Sequence, residues 1–306
     1  MIWLLKWYYG YKNFGDEVLL LGVIPYLFAH YSLTHLYIET ADTAWLQLWL
    51  DRHKTLLWTY VSSLTLIEKH TAKNYTRDQL FLWWGEVLTD GRPFPYNGRN
   101  YLFKYPKTIF RGRYHLLWGI GTPWSRISSW LRKLLVWRAK TVVVREKRSY
   151  EVALRYRAKE HTTLYHDFAE DVLPTIIGSF PKSFFQKNSN PPVLINVNPY
   201  IRSEETKKKL IKYTKQHTTS YFFPAEIWVD DRYFPELATD IPWLTLYDRT
   251  IYSLEETCKH IALCWWAIAA RLHVLRLAKL LHIPFEPLVY QEKISTFLEQ
   301  CSGELS

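Results

Sequence analysis

Apolar and polar residues are patterned most tellingly between Ile261 and Pro284, IALCWWAIAARLHVLRLAKLLHIP. Ile261 to Ala270 are apolar or small and follow the polar pair Lys259 and His260, which predicts a strand buried on both faces. Arg271 and His273 interrupt that run. From Leu272 to Leu281 apolar residues gather again around Arg276 and Lys279, as in a helix packed on a sheet, and Pro284 ends it. At the front of the chain, Ile2 to Tyr9 reads as a strand and Asp16 to Ala29 as a helix, joined by GYKNFG from Gly10 to Gly15. Strand, glycine-bearing turn and helix open a doubly wound α/β domain. Strand-like segments at Leu36 to Glu39, Leu80 to Gly85, Tyr114 to Ile120 and Thr141 to Arg145 alternate with helical stretches such as Thr43 to His53, so a mostly parallel sheet is predicted.

Asp90 to Lys107, rich in proline, glycine and polar residues, reads as a long loop beside the pocket. Gly, Ser, Asn and Pro cluster between Gly178 and Pro192, which marks a domain boundary. Beyond it the pattern predicts strands at Val193 to Val197 and Tyr221 to Pro224, a helix from Ser203 to His217, and a short strand ending at Tyr247 and Asp248. Asp230 and Asp231 read as caps of a helix at Tyr233 to Ala238 rather than as metal ligands, since no third ligand accompanies them. Ser253 and Glu256 form a capping box that opens the helix to His260. A last short strand at Phe285 to Tyr290 and a terminal helix at Glu292 to Gln300 complete the chain. The expected organisation is a Rossmann-like domain over 1–180, a second over 190–290, and a terminal helix within 291–306.

Composition narrows the class. Of 306 residues, 48% are hydrophobic, which argues for packed domains rather than disorder. Lys and Arg number 39 against 29 Asp and Glu, a net charge of +10 that suits an acidic small molecule, a membrane surface or nucleic acid alike. The basic face of the Ser203 to His217 helix is either solvated or a peripheral contact with an anionic membrane. Cys258, Cys264 and Cys301 are odd in number and lack Cys-X-X-Cys spacing, so neither a disulfide framework nor a zinc site is expected. Apolar runs reach about half of the roughly 20 residues that a membrane-spanning helix needs, and the protein reads as soluble and cytoplasmic. Aromatic residues make up 17% of the chain. Trp3, Trp7, Trp83, Trp84, Trp265 and Trp266 lie in apolar strand-like runs and read as core. Trp124, in the turn GTPWS, is the tryptophan placed to meet a ligand.

A buried strand turning directly into a helix puts Arg271 and His273 beside unpaired backbone N–H groups at the positive end of a dipole, where anions bind. A fixed guanidinium fork and an imidazole titrating near neutrality suit phosphate recognition coupled to proton transfer. The same tripeptide also fits a solvated surface turn. Asn13 and Asp16 either cap the first helix or reach a ligand at its start. Gly10 and Gly15 allow backbone conformations closed to other residues, but the spacing is not GxGxxG and no dinucleotide fingerprint is present. Arg145 reads on spacing as a solvated charge at a strand end, since Lys147 and Arg148 follow it.

Four patches, YYGYKNFGDEVLLLG, LWGIGTPWS, VVVREKRSY and AARLHVLRLAKLLHIPFEPLVYQEK, resemble in sequence and in order the motifs of the polysaccharide pyruvyl transferase family. The resemblance spans Tyr8 to about Lys293. It implies a fold like that of GT-B glycosyltransferases, with two Rossmann-like domains facing across a cleft. It also implies a reaction, transfer of the enolpyruvyl unit of phosphoenolpyruvate to a sugar of a cell-surface polysaccharide or lipid-linked glycan, giving a pyruvate ketal. Phosphoenolpyruvate is then the donor substrate, no cofactor or metal is expected, and no nucleic acid is a partner. By the same resemblance Arg145, Arg271 and His273 carry the catalysis. Asn13, Gly15 and Asp16 match the opening turn on the acceptor side, and Lys293 lies close to the cleft. Trp83, Trp84, Gly85 and Glu86 replace a run of glycines common in the family, and Glu146 stands where an aspartate is usual. Two other readings keep the architecture, a nucleotide-sugar glycosyltransferase and a catalytically silent carbohydrate-binding relative.

Overall fold

The computed structural model describes residues 2–69, 114–118, 126–180, 191–201, 203–215, 219–289 and 292–303. The expected strand at Leu80 to Gly85, the loop Asp90 to Lys107 and Trp124 lie outside them. Among the described residues every strand pair is parallel, as the alternation of apolar runs with helical patterns predicts.

Strand β1 (Ile2–Tyr9) is followed by α1 (Phe14–His30), β2 (His35–Thr40), α2 (Thr43–Arg52), the single turn α3 (Lys54–Leu57) and β3 (Leu64–Glu68). The strands pair in the order β1-β2-β3, with Trp3 opposite Leu36 and Leu36 opposite Leu64. Gly10 adopts φ +81°, and a side chain there would strike Thr40 and the backbone of Asp42, so the turn after β1 requires glycine on both counts. Strand β3 was not marked by an apolar run, because Ile67 alone among its residues is buried.

Strands β4 (Leu116–Trp118), β5 (Val142–Val144) and β6 (Thr162–Leu164) form a second parallel set, with helices α4 (Arg126–Arg138) and α5 (Lys147–Leu154) between them. Tyr114, Leu116, Leu135, Val136, Ala139, Val142, Val144 and Ala153 make its core. The edge strand β6 leaves Thr163 and Leu164 exposed, so it too lacks an apolar signature.

Helix α6 (Ala169–Gly178) precedes β7 (Val193–Asn196), α7 (Glu204–Thr214), β8 (Ser220–Phe222), α8 (Phe234–Asp240), β9 (Leu244–Leu246) and α9 (Leu254–Ala262). The chain then runs through β10 (Trp266–Ala269), α10 (Leu272–Leu280), β11 (Phe285–Pro287) and α11 (Glu292–Gly303). The five strands lie in the order β11-β10-β7-β8-β9. This is the Rossmann arrangement, with strand order reversing between β7 and β10, and at that point ligands bind outside the carboxyl ends of the strands. Ile268, Val193, Ile195, Phe222, Leu237 and Leu244 are among the buried side chains that pack its core.

Ile261 and Ala262 are not part of a strand. The capping box at Ser253 and Glu256 starts α9, and its buried residues Leu254, Thr257, Cys258 and Ile261 follow the helical period through Ile261. Only Trp266–Ala269 are extended, and Trp265 is 40% exposed rather than core. Trp3 is buried as expected, and Trp266 stacks on Tyr213. Cys258 and Cys264 are buried thiols; burial pushes Cys264 up to about 12 and raises Cys258 as well, so neither is a ready nucleophile. Among the described residues no helix is long and apolar enough to cross a membrane.

Residue contacts divide the chain into two units. One comprises 1–10, 24–47 and 57–167; the other comprises 11–23, 48–56 and 168–306. The second therefore takes in the start of α1 and the end of α2.

Two imidazoles, His53 buried and His115 partly buried, lend the fold a pH dependence. In the second unit His53 Nε2 accepts the backbone N–H of Leu254, at 2.8 Å, so Nδ1 carries the proton it donates to Trp49 O at 2.6 Å. Burial lowers its pKa. In the first unit burial, with Lys140 nearby, lowers His115 to about 4 from an ordinary 6.5. Both imidazoles are held neutral in the folded chain and take up protons more readily when unfolded. The stability they contribute is complete above pH 6.5 and is lost as pH falls below it; for His115 the loss runs down to about pH 4 and amounts to on the order of 3 kcal/mol. The melting temperature should fall over that interval, and His53→Gln with His115→Asn should flatten the fall; an unchanged slope in the double variant would refute the assignment.

Candidate functional site

At the carboxyl end of β7, Asn196 is buried at the point where strand order reverses. Its amide donates to Phe223 O, at 2.9 Å, and its Oδ1 accepts the backbone N–H of Arg271, also at 2.9 Å. One side chain thus ties the turns that follow β8 and β10. The sequence reading passed over Asn196, although a polar residue closing the apolar run Val193–Ile195 was a visible signal.

Arg271 is the residue before α10, with extended backbone (φ −95°, ψ 128°) and no side-chain cap on the helix. Its Nη2 donates to Glu226 Oε2 at 3.0 Å and to Asp230 Oδ1 at 2.5 Å, and 20% of its side chain remains accessible. The expectation that Asp230 and Asp231 cap a helix is corrected here. Asp230 makes no cap bond; its buried carboxylate instead accepts from Glu226 N, at 3.1 Å, and from Arg271. A carboxylate this deeply buried requires a charged partner, and the half-buried Arg271 supplies it. Among the described residues no group of three His, Cys, Asp or Glu could hold a metal ion.

The opening turn meets the same loop. Asn13 pairs with Glu226 in an isolated antiparallel bridge, Phe14 N donates to Ala225 O at 2.6 Å, and Ile227 N donates to Lys12 O at 3.2 Å. Arg249, buried and unmarked in the sequence, locks the junction. Its Nε donates to Pro224 O at 2.9 Å, its Nη1 to Glu17 Oε2 at 3.0 Å, and its Nη2 to Lys12 O at 2.6 Å and Ala225 O at 3.3 Å.

Asn13 is the N-cap of α1, its Oδ1 accepting from Gly15 N at 3.0 Å and Asp16 N at 3.4 Å. Gly15 is helical, so conformational freedom is not its role. A Cβ there would run into His273 Nδ1 and lie 2.9 Å from Cε1 and 3.1 Å from Cγ, because the imidazole packs on the glycine backbone. The structure therefore brings Asn13, Gly15, Asp16, Arg271 and His273 into one network of the second unit. Lys293 lies in the first turn of α11, in the same unit, and Trp124 is outside the described residues.

Arg145 belongs to the first unit, directly after β5. It is not the solvated charge that spacing alone allows: its side chain is 2% exposed, with Nε on Glu146 Oε1 at 2.9 Å and Nη1 on Asp167 Oδ2 at 3.2 Å. Glu146 also accepts from Ser149 Oγ, at 3.3 Å. Asp167 is buried, and no motif pointed to it.

Two non-glycine residues in this network hold left-handed backbone, Lys12 at φ 56° and Trp228 at φ 76°. Such residues cost on the order of 1–3 kcal/mol each and persist only where their surroundings impose them. His282, at φ 54°, is accounted for by its place after α10, where His282 N to Lys279 O and Ile283 N to Ala278 O close a Schellman cap.

The family model for polysaccharide pyruvyl transferase matches residues 13–292, from the Asn13 cap to the first turn of α11. The chain belongs to the polysaccharide pyruvyl transferase family. In this member of the pyruvyl transferase family the opening Asn-Phe-Gly-Asp turn and the Arg-Leu-His turn, far apart in sequence, meet at one point. No curated protein matches the chain by sequence. Solved structures similar to it include UDP-GlcNAc 2-epimerase from Neisseria meningitidis bound to UDP-GlcNAc, at TM-score 0.65 and 11% identity over 97% of this chain and 85% of that one. The S. aureus MnaA-UDP structure gives 0.64 and 9% over 97% and 81%, and Anabaena Alr3699/HepE with UDP-glucose gives 0.54 and 13% over 94% and 79%. At such identities the likeness shows the fold, the GT-B-type α/β fold with parallel sheets.

Gly15→Ala should lower stability by about 1–3 kcal/mol through the crowded imidazole, and His273→Ala on that background should recover most of it. Denaturant unfolding of the two single variants and the double reads the coupling, and additive effects would dismiss the contact. Arg249→Met removes the guanidinium paired with the buried Glu17 carboxylate and should cost about 3–5 kcal/mol. Glu17→Gln added to it should restore part of that loss in the same measurement, and no restoration would show that the charge pair is not what holds the junction.

Proposed function

We propose that the chain transfers the enolpyruvyl unit of phosphoenolpyruvate to a sugar of a cell-surface polysaccharide or lipid-linked glycan, forming a pyruvate ketal. Family membership supplies the class, a pyruvyl transferase acting on a sugar. The observation that supports the chemistry is the pair of Arg271 and His273 at the switch point, the imidazole seated on Gly15.

Ketal formation needs a proton on the methylene carbon of phosphoenolpyruvate, which makes the neighbouring carbon electrophilic. One sugar hydroxyl adds there and gives up its proton; the carbon–oxygen bond to phosphate breaks, and a second hydroxyl adds with loss of its proton. In this reading His273 donates the first proton, as an imidazolium can. Arg271 faces the anionic donor with its fork already oriented by Glu226 and Asp230. Arg145 enters through its motif more than its surroundings. Its guanidinium is enclosed by Glu146 and Asp167, so an anion binding there requires one of those carboxylates to give way. Asn13 and Asp16 shape the acceptor side, with Asn13 also serving as the cap.

A charge-assisted bond to arginine contributes about 1.5–3 kcal/mol, so Arg271→Ala should weaken phosphoenolpyruvate binding by about 10- to 100-fold. The thermal shift produced by phosphoenolpyruvate should disappear in that variant. His273→Gln should keep the shift while phosphate release in the presence of a sugar acceptor is lost. Stabilisation by UDP-sugars with none by phosphoenolpyruvate would replace this reading with that of a glycosyltransferase.

A further inference from the structure

Glu226, Ile227, Trp228 and Val229 form a turn closed by Val229 N to Glu226 O at 3.1 Å. Trp228 is its third residue, the position at which a positive φ ordinarily calls for glycine. A large aromatic residue there is unfavourable for the backbone, and packing does not account for it, because Trp228 is 56% exposed. The second strained residue, Lys12, holds its ammonium 4.6 Å from the centre of the Trp228 ring. Both are fixed from behind: Lys12 O accepts from Ile227 N and from Arg249, and Asp230, two residues beyond Trp228, is buried against Arg271. The backbone strain therefore serves to present an open indole and a cation on the rim of the network that holds Arg271 and His273.

We propose that Trp228 and Lys12 form a sugar-binding platform, on which a pyranose ring stacks its C–H face against the indole face that Lys12 leaves open, while the Lys12 ammonium, over the other face and 4.6 Å from the ring centre, braces the indole. An exposed aromatic face takes apolar surface, and a pyranose presents a C–H face of matching size. The assignment rests on the proposed function, since it places the acceptor rather than the donor. Trp228 is a specificity residue here and takes no part in proton transfer.

Saturation-transfer NMR with methyl β-galactopyranoside, methyl β-glucopyranoside and methyl N-acetyl-β-mannosaminide reads the platform directly. Wild type and Trp228→Phe should transfer saturation to the ring C–H protons of at least one glycoside. Trp228→Ala should bind it about tenfold more weakly. Trp228→Gly should lose binding and melt at a higher temperature than wild type, since glycine relieves the turn; this variant stays informative even if Trp228→Ala folds poorly. The proposal is overturned if no glycoside receives saturation from wild type, if Trp228→Gly binds as wild type does, or if uridine monophosphate is saturated in their place. Thermal shift with phosphoenolpyruvate on the same samples separates the two ideas. A donor shift without glycoside binding ends the platform alone, and Trp228-dependent glycoside binding without a donor shift ends the donor reading alone.

Discussion

A guanidinium withdrawn from water must find a partner for each of its polar edges, and Arg249 does so by gathering the carboxylate of Glu17 and the carbonyls of Pro224, Lys12 and Ala225. That requirement fixes the opening turn against the loop after β8 more tightly than apolar packing would, because hydrogen bonds to a planar fork admit few geometries. The consequences reach each residue of the candidate site. With Lys12 to Glu17 held in place, Asn13 bridges to Glu226, Gly15 lies under His273, and the left-handed conformations of Lys12 and Trp228 are sustained.

Around Arg271 the charges are arranged differently. Two carboxylates share one of its nitrogens, and Asn196 holds its backbone, so the guanidinium is oriented before any ligand arrives. Orientation in advance lowers the entropic cost of binding, while the paired carboxylates temper the attraction for an anion. Arg145 shows the same principle carried further, with a fully enclosed side chain divided between Glu146 and Asp167.

The fold makes this arrangement natural. A five-stranded parallel sheet whose order reverses between β7 and β10 leaves its turns diverging at the carboxyl edge, and the polar residues that must close such a gap are the ones available to a ligand. Asn196 serves both purposes at once. The chain thus shares its fold with a UDP-GlcNAc 2-epimerase at 11% sequence identity, because the sheet order, not the side chains, sets the architecture.

The chain's own pattern was sufficient for the parallel α/β class, for most of the strands in the two halves, and for the Asn-Phe-Gly-Asp and Arg-Leu-His turns, since buried strands and helix caps leave local signatures. It misplaced the strand before Arg271, where the helical spacing of Leu254, Thr257, Cys258 and Ile261 overrode an apolar run, and it overlooked β3, mostly half-buried, and β6, mostly exposed. Glu226 and Arg249 carry no local mark, and the local signals at Asn196 and Asp230 say nothing of their partners. Each becomes functional through a partner dozens or hundreds of residues away, and such pairings are decided only when the sheet brings the segments together. Gly15 is the sharpest instance. Its lack of a side chain reads in the sequence as backbone freedom, and in the folded protein it is the space that an imidazole occupies.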